Sequence, residues 1–450
     1  MFAQARSDAA ERPSPHLDRS DDIYSERSNG HDREGFAMAR IATATSTRRT
    51  VRLPSLAVAV ITASAVALTA CGGDSGDGDG SGSGGGPYRV SVVSDLTGAG
   101  VTQAGPYADG VATALDDVND RGGVNGGKIE YKITDTQSDP TAAQATFRAA
   151  LSEKPVAILA ATGSATLSAS FPLLQNAGVT VIAANAIGFP NHPFLYGASL
   201  SSSQLASMLA NSASSSVSSL QGKKVALVGI DSPATRGTFG EVEQQIGTLG
   251  GTITSTQFVA PGTPSFDSGA ANIISQAPDV VVIQDSAAGT ILEAKAIAAA
   301  GFTGPIVVSY AGSDDATLAN IANPNLLGVR PYVYATEGTE IFAAAQKFDH
   351  AKNVSNEGFV RGWLMGQMLI AGLGKCGQDC SSADLISSLD GLGTFTVPGG
   401  FLQFGDLQLS ADRHHPLTAV GLYSYDPATR KSVVRIDKVD AGEPTYPAAQ

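Results

Sequence analysis

The residues in this sequence with the means to do chemistry gather at one kind of place, the ends of short β-branched runs. Ser94-Asp95-Leu96-Thr97-Gly98, Asp135, Thr162-Gly163-Ser164, Asn185-Ala186, Asp231-Ser232, Asp285-Ser286 and Tyr310 each close such a run. Their chemistry is that of holding a ligand rather than breaking a bond. A run that opens directly onto a helix exposes backbone N–H groups with no partner in the helix, and these receive a carboxylate or another negative oxygen. The stretch "ATGSATLSAS" (Ala161 to Ser170) has that form, with Ser164 where an N-cap would stand. Ser164 capping its own helix is the simpler local reading.

Catalytic patterns are missing from the sequence. There is no Gly-x-Ser-x-Gly elbow, no His-Glu-x-x-His and no Walker loop. Gly98-Ala99-Gly100 follows a run, but the third glycine of a dinucleotide fingerprint would fall on Gln103. "DGDGSG" places Asp77 and Asp79 as a calcium loop would, yet its twelfth position is Tyr88. His192 and His350 stand alone, and the adjacent His414 and His415 read as a polar loop or edge. These observations predict no metal, no cofactor and no enzymatic activity. The formal net charge of −13 argues against a nucleic-acid partner, because phosphate binding needs clustered Lys and Arg.

Such residues need a scaffold, and the pattern between them supplies it. From Tyr88 on, β-branched runs alternate with amphipathic helical stretches of about a dozen residues. "RVSVVS", "KIEYKIT", "VAILAA" and "VTVIAA" form one series; "KVALVGI", "TITSTQF", "DVVVIQD" and "PIVVSY" form a second. A helical face over Ala108–Asp120, a helix opened by Asp139-Pro140 and one from Ser164 separate the first runs. A Ser-rich helical segment, Ser201–Ser219, joins the two series. Helices at 339–350, 354–373 and 381–391 and strands at 400–405 and 418–426 complete the chain. Alternation of this kind means parallel sheets with crossover helices, here in two α/β lobes. Ligands of such sheets bind beyond the carboxyl ends of the strands, so two lobes facing each other make a cleft.

The front of the chain reads differently. Residues 1–37 are polar and without apolar periodicity. Arg40, Arg48, Arg49 and Arg52 then precede the apolar run Leu56–Leu68, and small residues lead to Cys71. This is the layout of a secretory signal peptide, with Met38 as the expected start of translation. The run, broken by Thr62 and Ser64, is short of the about 20 residues a membrane span needs. Leu68-Thr69-Ala70-Cys71 resembles the lipobox of bacterial lipoproteins, in which the cysteine carries the lipid. The Gly-rich stretch Gly72–Gly86 is a flexible tether with a reach of about 20 Å. Cys376 and Cys380 lie close enough to close a small disulfide loop, with two free thiols as the alternative.

The order of motifs resembles the type I periplasmic binding proteins of branched-chain amino-acid ABC importers, the leucine/isoleucine/valine-binding proteins and their relatives. Leu96-Thr97-Gly98, Asn119-Asp120-Arg121-Gly122-Gly123-Val124-Asn125-Gly126, Asp139-Pro140, Gly163-Ser164 and Ala177-Gly178-Val179 carry it, over roughly 88–437. The resemblance implies two Rossmann-like parallel-sheet lobes joined by three crossings, near 200–206, 332–338 and 412–418. The expected division is an extension over 1–37, a lipoprotein signal peptide over 38–70, a lipid-anchored linker over 71–87, one lobe from 88–203 with 336–415, the other from 204–335 with 416–437, and a tail over 438–450.

The resemblance places Thr162, Gly163, Ser164, Asn185, Ala186 and Ile187 at the ligand, and the strand ends add Thr97, Asp231 and Tyr310 as expected contacts. Ile187 stands where the family has a threonine, Ala234 near its second-lobe aromatic and Ala311 near the acidic partner of a ligand ammonium, with Asp314 and Asp315 a turn further on. It therefore implies a small ligand with a carboxylate or similar polar group, other than a plain branched-chain amino acid. It also implies a monomer, held on the outer face of the cell membrane by lipid at Cys71, that hands its ligand to an ABC importer permease. A sensing module for a membrane partner and a secreted enzyme are the alternatives.

Overall fold

The computed structural model describes residues 86–333, 339–350, 352, 354, 356–397 and 404–446. The extension, the signal peptide, Cys71 and the tether up to residue 85 lie outside the described residues, as do 334–338 of the second crossing and 400–403 of an expected strand. No described helix is long and apolar enough to cross a membrane.

The first sheet comprises β1 (Tyr88–Ser94), β2 (Ile129–Asp135), β3 (Ala157–Ala161), β4 (Thr180–Ala183) and β5 (Leu195–Gly197), all parallel, in the order β2-β1-β3-β4-β5. The inner strands β3 and β4 are buried throughout because helices cover both faces, whereas β2 at the edge alternates with half-exposed polar residues. The register sets Ser94 opposite both Asp135 and Ala161, so the residues that follow, Asp95, Thr136 and Thr162, emerge side by side. Helices α1 (Val101–Asp120), α2 (Pro140–Ser152) and α3 (Ser164–Ala177) make the crossovers. Asp139 caps α2, accepting from the N–H groups of Thr141 at 2.9 Å and Ala142 at 2.7 Å, and Pro140 fits the first turn, where no donor is needed. α1 starts seven residues before the expected Ala108 and holds Pro106 within it.

The second sheet has seven strands. β6 (Lys224–Ile230), β7 (Thr252–Val259), β8 (Val280–Gln284), β9 (Ile306–Val308) and β10 (Leu326–Arg330) run parallel. β13 (Ala419–Asp426) and β14 (Lys431–Asp440) add antiparallel to β10 at the edge. β14 runs to Asp440, so the segment expected as a tail from 438 begins inside a strand. Helices α4 (Ser202–Ser216), α5 (Pro233–Thr248), α6 (Asp267–Ser275), α7 (Ala287–Ala299) and α8 (Asp315–Ile321) belong to this lobe. After β10 the chain returns to the first lobe through α9 (Glu340–Lys347), α10 (Glu357–Cys376) and α11 (Ser382–Asp390). A small ribbon, β11 (Gly393–Phe395) with β12 (Leu407–Leu409), leads to the third crossing. Cys376, at the end of α10, is disulfide-bonded to Cys380, with Cα atoms 5.6 Å apart.

α1 and α10 touch backbone to backbone. A Cβ added at Gly110 would stand 2.0 Å from the Phe359 carbonyl oxygen, and one at Gly362 would stand 2.0 Å from that of Tyr107. Neither contact leaves room for a methyl group.

The crossings are tied to one another by polar groups. Tyr332 Oη, on the second, donates to the Ala198 carbonyl on the first. On the third, His414 Nδ1 donates to the Leu195 carbonyl at 2.9 Å and His415 Nδ1 to that of Ser199 at 2.8 Å. Both histidines are buried, which corrects the reading of a polar loop or edge: they are core struts between crossings. Burial lowers both pKa values, that of His415 from 6.5 to about 4.

Two outcomes follow from these contacts. Gly362→Ala should cost roughly 1–3 kcal/mol or more in urea unfolding, by overpacking against a carbonyl that cannot move. Gly374→Ala, in the same helix with open space around it, should cost nothing. Because His415 is neutral in the fold and binds a proton more readily when unfolded, its contribution is complete above pH 6.5 and is lost as pH falls from 6.5 through about 4. Unfolding curves at pH 7.5 and 4.5 should therefore differ by up to about 3 kcal/mol from this group, and His415→Gln should flatten the dependence by that amount.

Candidate functional site

The neighbouring strand ends of the first lobe meet around Asp95. Its side chain is buried, and its carboxylate accepts from the Gly163 N–H at 2.8 Å, from Thr166 Oγ1 at 3.3 Å and from Thr136 Oγ1. At the start of α3 the carboxylate from β1's end thus takes the Gly163 N–H and the Thr166 hydroxyl. The N-cap is Gly163 rather than Ser164; Ser164 is the first helical residue, exposed, and no side chain caps the helix locally. Asp95, 68 residues away in sequence, reaches the Gly163 N–H because the register places it beside that turn.

A cavity of about 680 Å³ lies between the lobes. The first lobe contributes Gln103 from α1 and Asn356 and Glu357 at the start of α10; Lys352 lies just before them. The second contributes Ser286 and Ala287 from the start of α7, Tyr310 and Ala311 from the turn after β9, and Asp314, Asp315 and Ala316 from the start of α8. Most of the charges in this wall are committed. Asp315 pairs with the buried Arg330 at 2.7 Å. Asp314 caps α8, accepting from the Thr317 N–H at 2.9 Å and its hydroxyl at 2.6 Å.

Glu357 is engaged by Arg361, one helical turn on. Arg361 is 2% exposed; its Nε donates to Glu357 Oε1 at 3.0 Å, its Nη2 donates to the same oxygen, and its Nη1 donates to Asn185 Oδ1 at 2.7 Å. Three phenol rings surround the guanidinium, with centroids 5.6 Å (Tyr107), 5.7 Å (Tyr310) and 5.9 Å (Tyr332) from Cζ. Burial pushes the Tyr107 phenol up to about 12 and raises that of Tyr310, so both rings stay neutral. The group draws on α1, β4's end, α10, the second lobe and a crossing at once.

Of the residues expected at the ligand, the structure brings Tyr310 to the cavity wall. Gly163 adjoins it: an added Cβ would stand 3.9 Å from Gln103 Oε1. Thr162 and Ala186 are buried, and Ile187 is half-buried. Asn185 is also buried, its amide donating to the Thr162 carbonyl at 3.0 Å and to Tyr107 Oη at 3.2 Å, so its side chain is spent inside the lobe. Thr97 is exposed and donates to Asp135 Oδ2 at 2.6 Å; Asp231 is exposed and pairs with Arg236 at 2.8 Å. Ala311, Asp314 and Asp315 all line the cavity, whereas Ala234 is exposed on α5 and is not among its lining residues.

Sequence reasoning missed Gln103, Glu357, Arg361 and the role of Asp95. A lone arginine in the apolar stretch "GFVRGWLMGQMLI" was the available signal, since a charge on a buried helix needs a partner. It also missed a buried acid pair behind the second lobe's wall. Burial, and secondly the charge of Asp285, push Glu293 up to about 9. Among the described residues no cluster of metal-ligating side chains occurs.

Residues 87–430 match a family described as periplasmic binding protein. Among curated proteins none matches the sequence. Among solved structures, an ABC transporter substrate-binding protein from Sphaerobacter thermophilus is 18% identical with a TM-score of 0.67, over 79% of this chain and 98% of that one. The branched-chain amino acid transporter substrate-binding protein of Streptococcus pneumoniae, in complex with isoleucine, is 15% identical with a TM-score of 0.61, over 78% and 99%. A solute-binding protein of an ABC transporter from R. palustris, in complex with benzoate, is 21% identical with a TM-score of 0.59, over 80% and 98%. At these identities the likeness is one of fold: two α/β lobes with three crossings.

Proposed function

The chain belongs to the periplasmic binding protein family, and on that premise we propose that it is an extracytoplasmic solute receptor of an ABC importer. It captures one small polar organic molecule between its lobes and hands it to a membrane permease. The observation that carries this reading is the cavity lined from both lobes, with hydrogen-bonding groups at strand and helix ends. Its volume suits a ligand the size of an amino acid or an aromatic acid. Isoleucine and benzoate, the molecules held by two of the structural neighbours, are of that size. The absence of a nucleophile–base pair in the sequence supports binding over turnover. A lipid on Cys71 and the Gly-rich tether would hold a monomeric receptor at the outer membrane surface, within reach of the permease.

A thermal-shift screen of the full chain against amino acids, aromatic acids, amides, amines and sugars tests the first part. A ligand at a hundred times its Kd should raise Tm by about 5 °C, and Gln103→Ala should weaken its binding about ten-fold. A chain that no small molecule stabilises contradicts the reading. Anchoring has its own test. In the producing cell the protein should sediment with membranes, and Cys71→Ser should leave it soluble or unprocessed; equal membrane association of the two forms would refute the lipid.

A further inference from the structure

The second lobe's part of the cavity wall is backed by two acids. Asp285 follows β8 directly, and Glu293 stands on α7, one turn beyond Gly289. Both are buried, and no ion pair among the described residues includes either. What holds the two carboxyl groups differs. Asp285 Oδ1 accepts from the Ser286 N–H at 2.6 Å and from the Ser286 hydroxyl at 3.0 Å, at the positive end of α7. Neither oxygen of Glu293 meets an N–H or hydroxyl donor. Its side chain hydrogen-bonds that of Asp285. Such a bond between two carboxyl groups needs a proton on one of them. Glu293, buried and without donors, keeps it, and Asp285 at the helix end carries the charge.

Other charges near α7 are directed elsewhere. The helix packs against β8, α6, α8 and the turn Tyr310–Gly312. Asp267 on α6 is exposed, Asp314 caps α8, and Asp315 pairs with Arg330. The Tyr310 ring lies beside Arg361, and Lys295 on α7 itself donates to Asn320 Oδ1 at 2.7 Å. Asp285 is the one charge that acts on Glu293.

The pair bears on the cavity through its neighbours. Ser286 and Ala287 line the wall, whereas Glu293 is not among the lining residues. The Asp285 carboxylate lies over the first turn of α7, where a Cβ at Gly289 would collide with it. Ser286 Oγ accepts in turn from the Gly289 N–H at 3.3 Å. One residue on, Thr290 packs on Gly312, where an added Cβ would collide with its hydroxyl. The same stretch of α7 thus backs the turn that carries Tyr310 and Ala311 to the wall.

We infer that Glu293 is a positioning residue of the ligand site: the hydrogen bond that its acid donates to Asp285 holds Asp285 on Ser286, and with it this part of the cavity wall. This rests on the receptor reading above and deepens it, because capture of the ligand then depends on one buried proton. With Glu293 ionised, two like charges would face each other at close range in a buried site, and Asp285 would be driven from Ser286.

Glu293→Gln keeps a donor for Asp285 but cannot ionise, and Glu293→Leu keeps the bulk without the donor. The probes are isoleucine, benzoate and whichever compound of the broad screen raises Tm most, titrated by calorimetry into the full chain. Glu293 ionises at about pH 9, so the ratio of wild-type Kd to Glu293→Gln Kd should rise about ten-fold between pH 7 and pH 10. A probe's own titration is common to both proteins and cancels in that ratio. At pH 7, Glu293→Gln should bind at least ten-fold tighter than Glu293→Leu. A ratio that stays level, or a leucine variant that binds as well as the glutamine one, overturns the inference and leaves the receptor reading standing. Binding of no compound overturns both. The proton itself has a ligand-free test. The fold raises the pKa of Glu293 from 4.5 to about 9, so its contribution to stability is complete below pH 4.5 and is lost as pH rises through about 9. The wild-type Tm should therefore fall further than that of Glu293→Gln between pH 6 and pH 10; equal falls overturn the inference. Should Glu293→Gln not fold, wild-type infrared spectra decide: a carboxylic-acid band present at pH 7 should vanish by pH 10, and its absence at pH 7 overturns the inference.

Discussion

The buried guanidinium of Arg361 is the constraint around which the cleft is organised. A full charge at 2% exposure survives only if its donors are satisfied and its charge is met. That requirement accounts for Glu357 four residues earlier on the same helix, for the inward turn of Asn185 and for three phenol rings from separate elements. It also ties to the packing of α1 on α10. Gly362, the residue after Arg361, has no Cβ, so the Tyr107 carbonyl comes up against it and the Tyr107 ring reaches the guanidinium. Because Tyr310 belongs to the second lobe and Tyr332 to a crossing, one side chain on α10 links the first lobe to both. Removing it would leave the half-buried Glu357 without its counter-charge and the buried Asn185 carbonyl oxygen without its donor.

A second buried acid, Asp95, holds the β3–α3 turn as Arg361 holds the start of α10. The two do not meet. Asp95 is held by dipoles at the front of α3, Arg361 by a carboxylate, an amide and rings at the front of α10.

Much of this architecture was legible in the sequence. Strands such as "KVALVGI" and the Asp139-Pro140 helix start announce themselves locally, and their structural bounds agree closely with the reading. The alternation of runs and helical stretches was enough for two parallel-sheet lobes. What escaped was set by distant partners. β5, of three residues, shows no pattern, and in the ten-residue β14 Lys, Arg and Asp interrupt the apolar positions. His414 and His415 look polar until Ser199 and Leu195 bring carbonyls to them. Ser164 looks like a cap, yet it is the first helical residue, after Gly163. Asp95 itself was visible at a strand end, but its partner turn lies 68 residues on, and only the register reveals the pairing.

Hydrogen–deuterium exchange on the full chain, with and without a compound that raises its Tm, tests the central claim most directly. If the inter-lobe cavity is the binding site, one ligand slows exchange at the starts of α1, α8 and α10 and at the β3–α3 turn together, from both lobes at once. Protection confined to one lobe, or to the groove between the β11–β12 ribbon and Lys438, would contradict it.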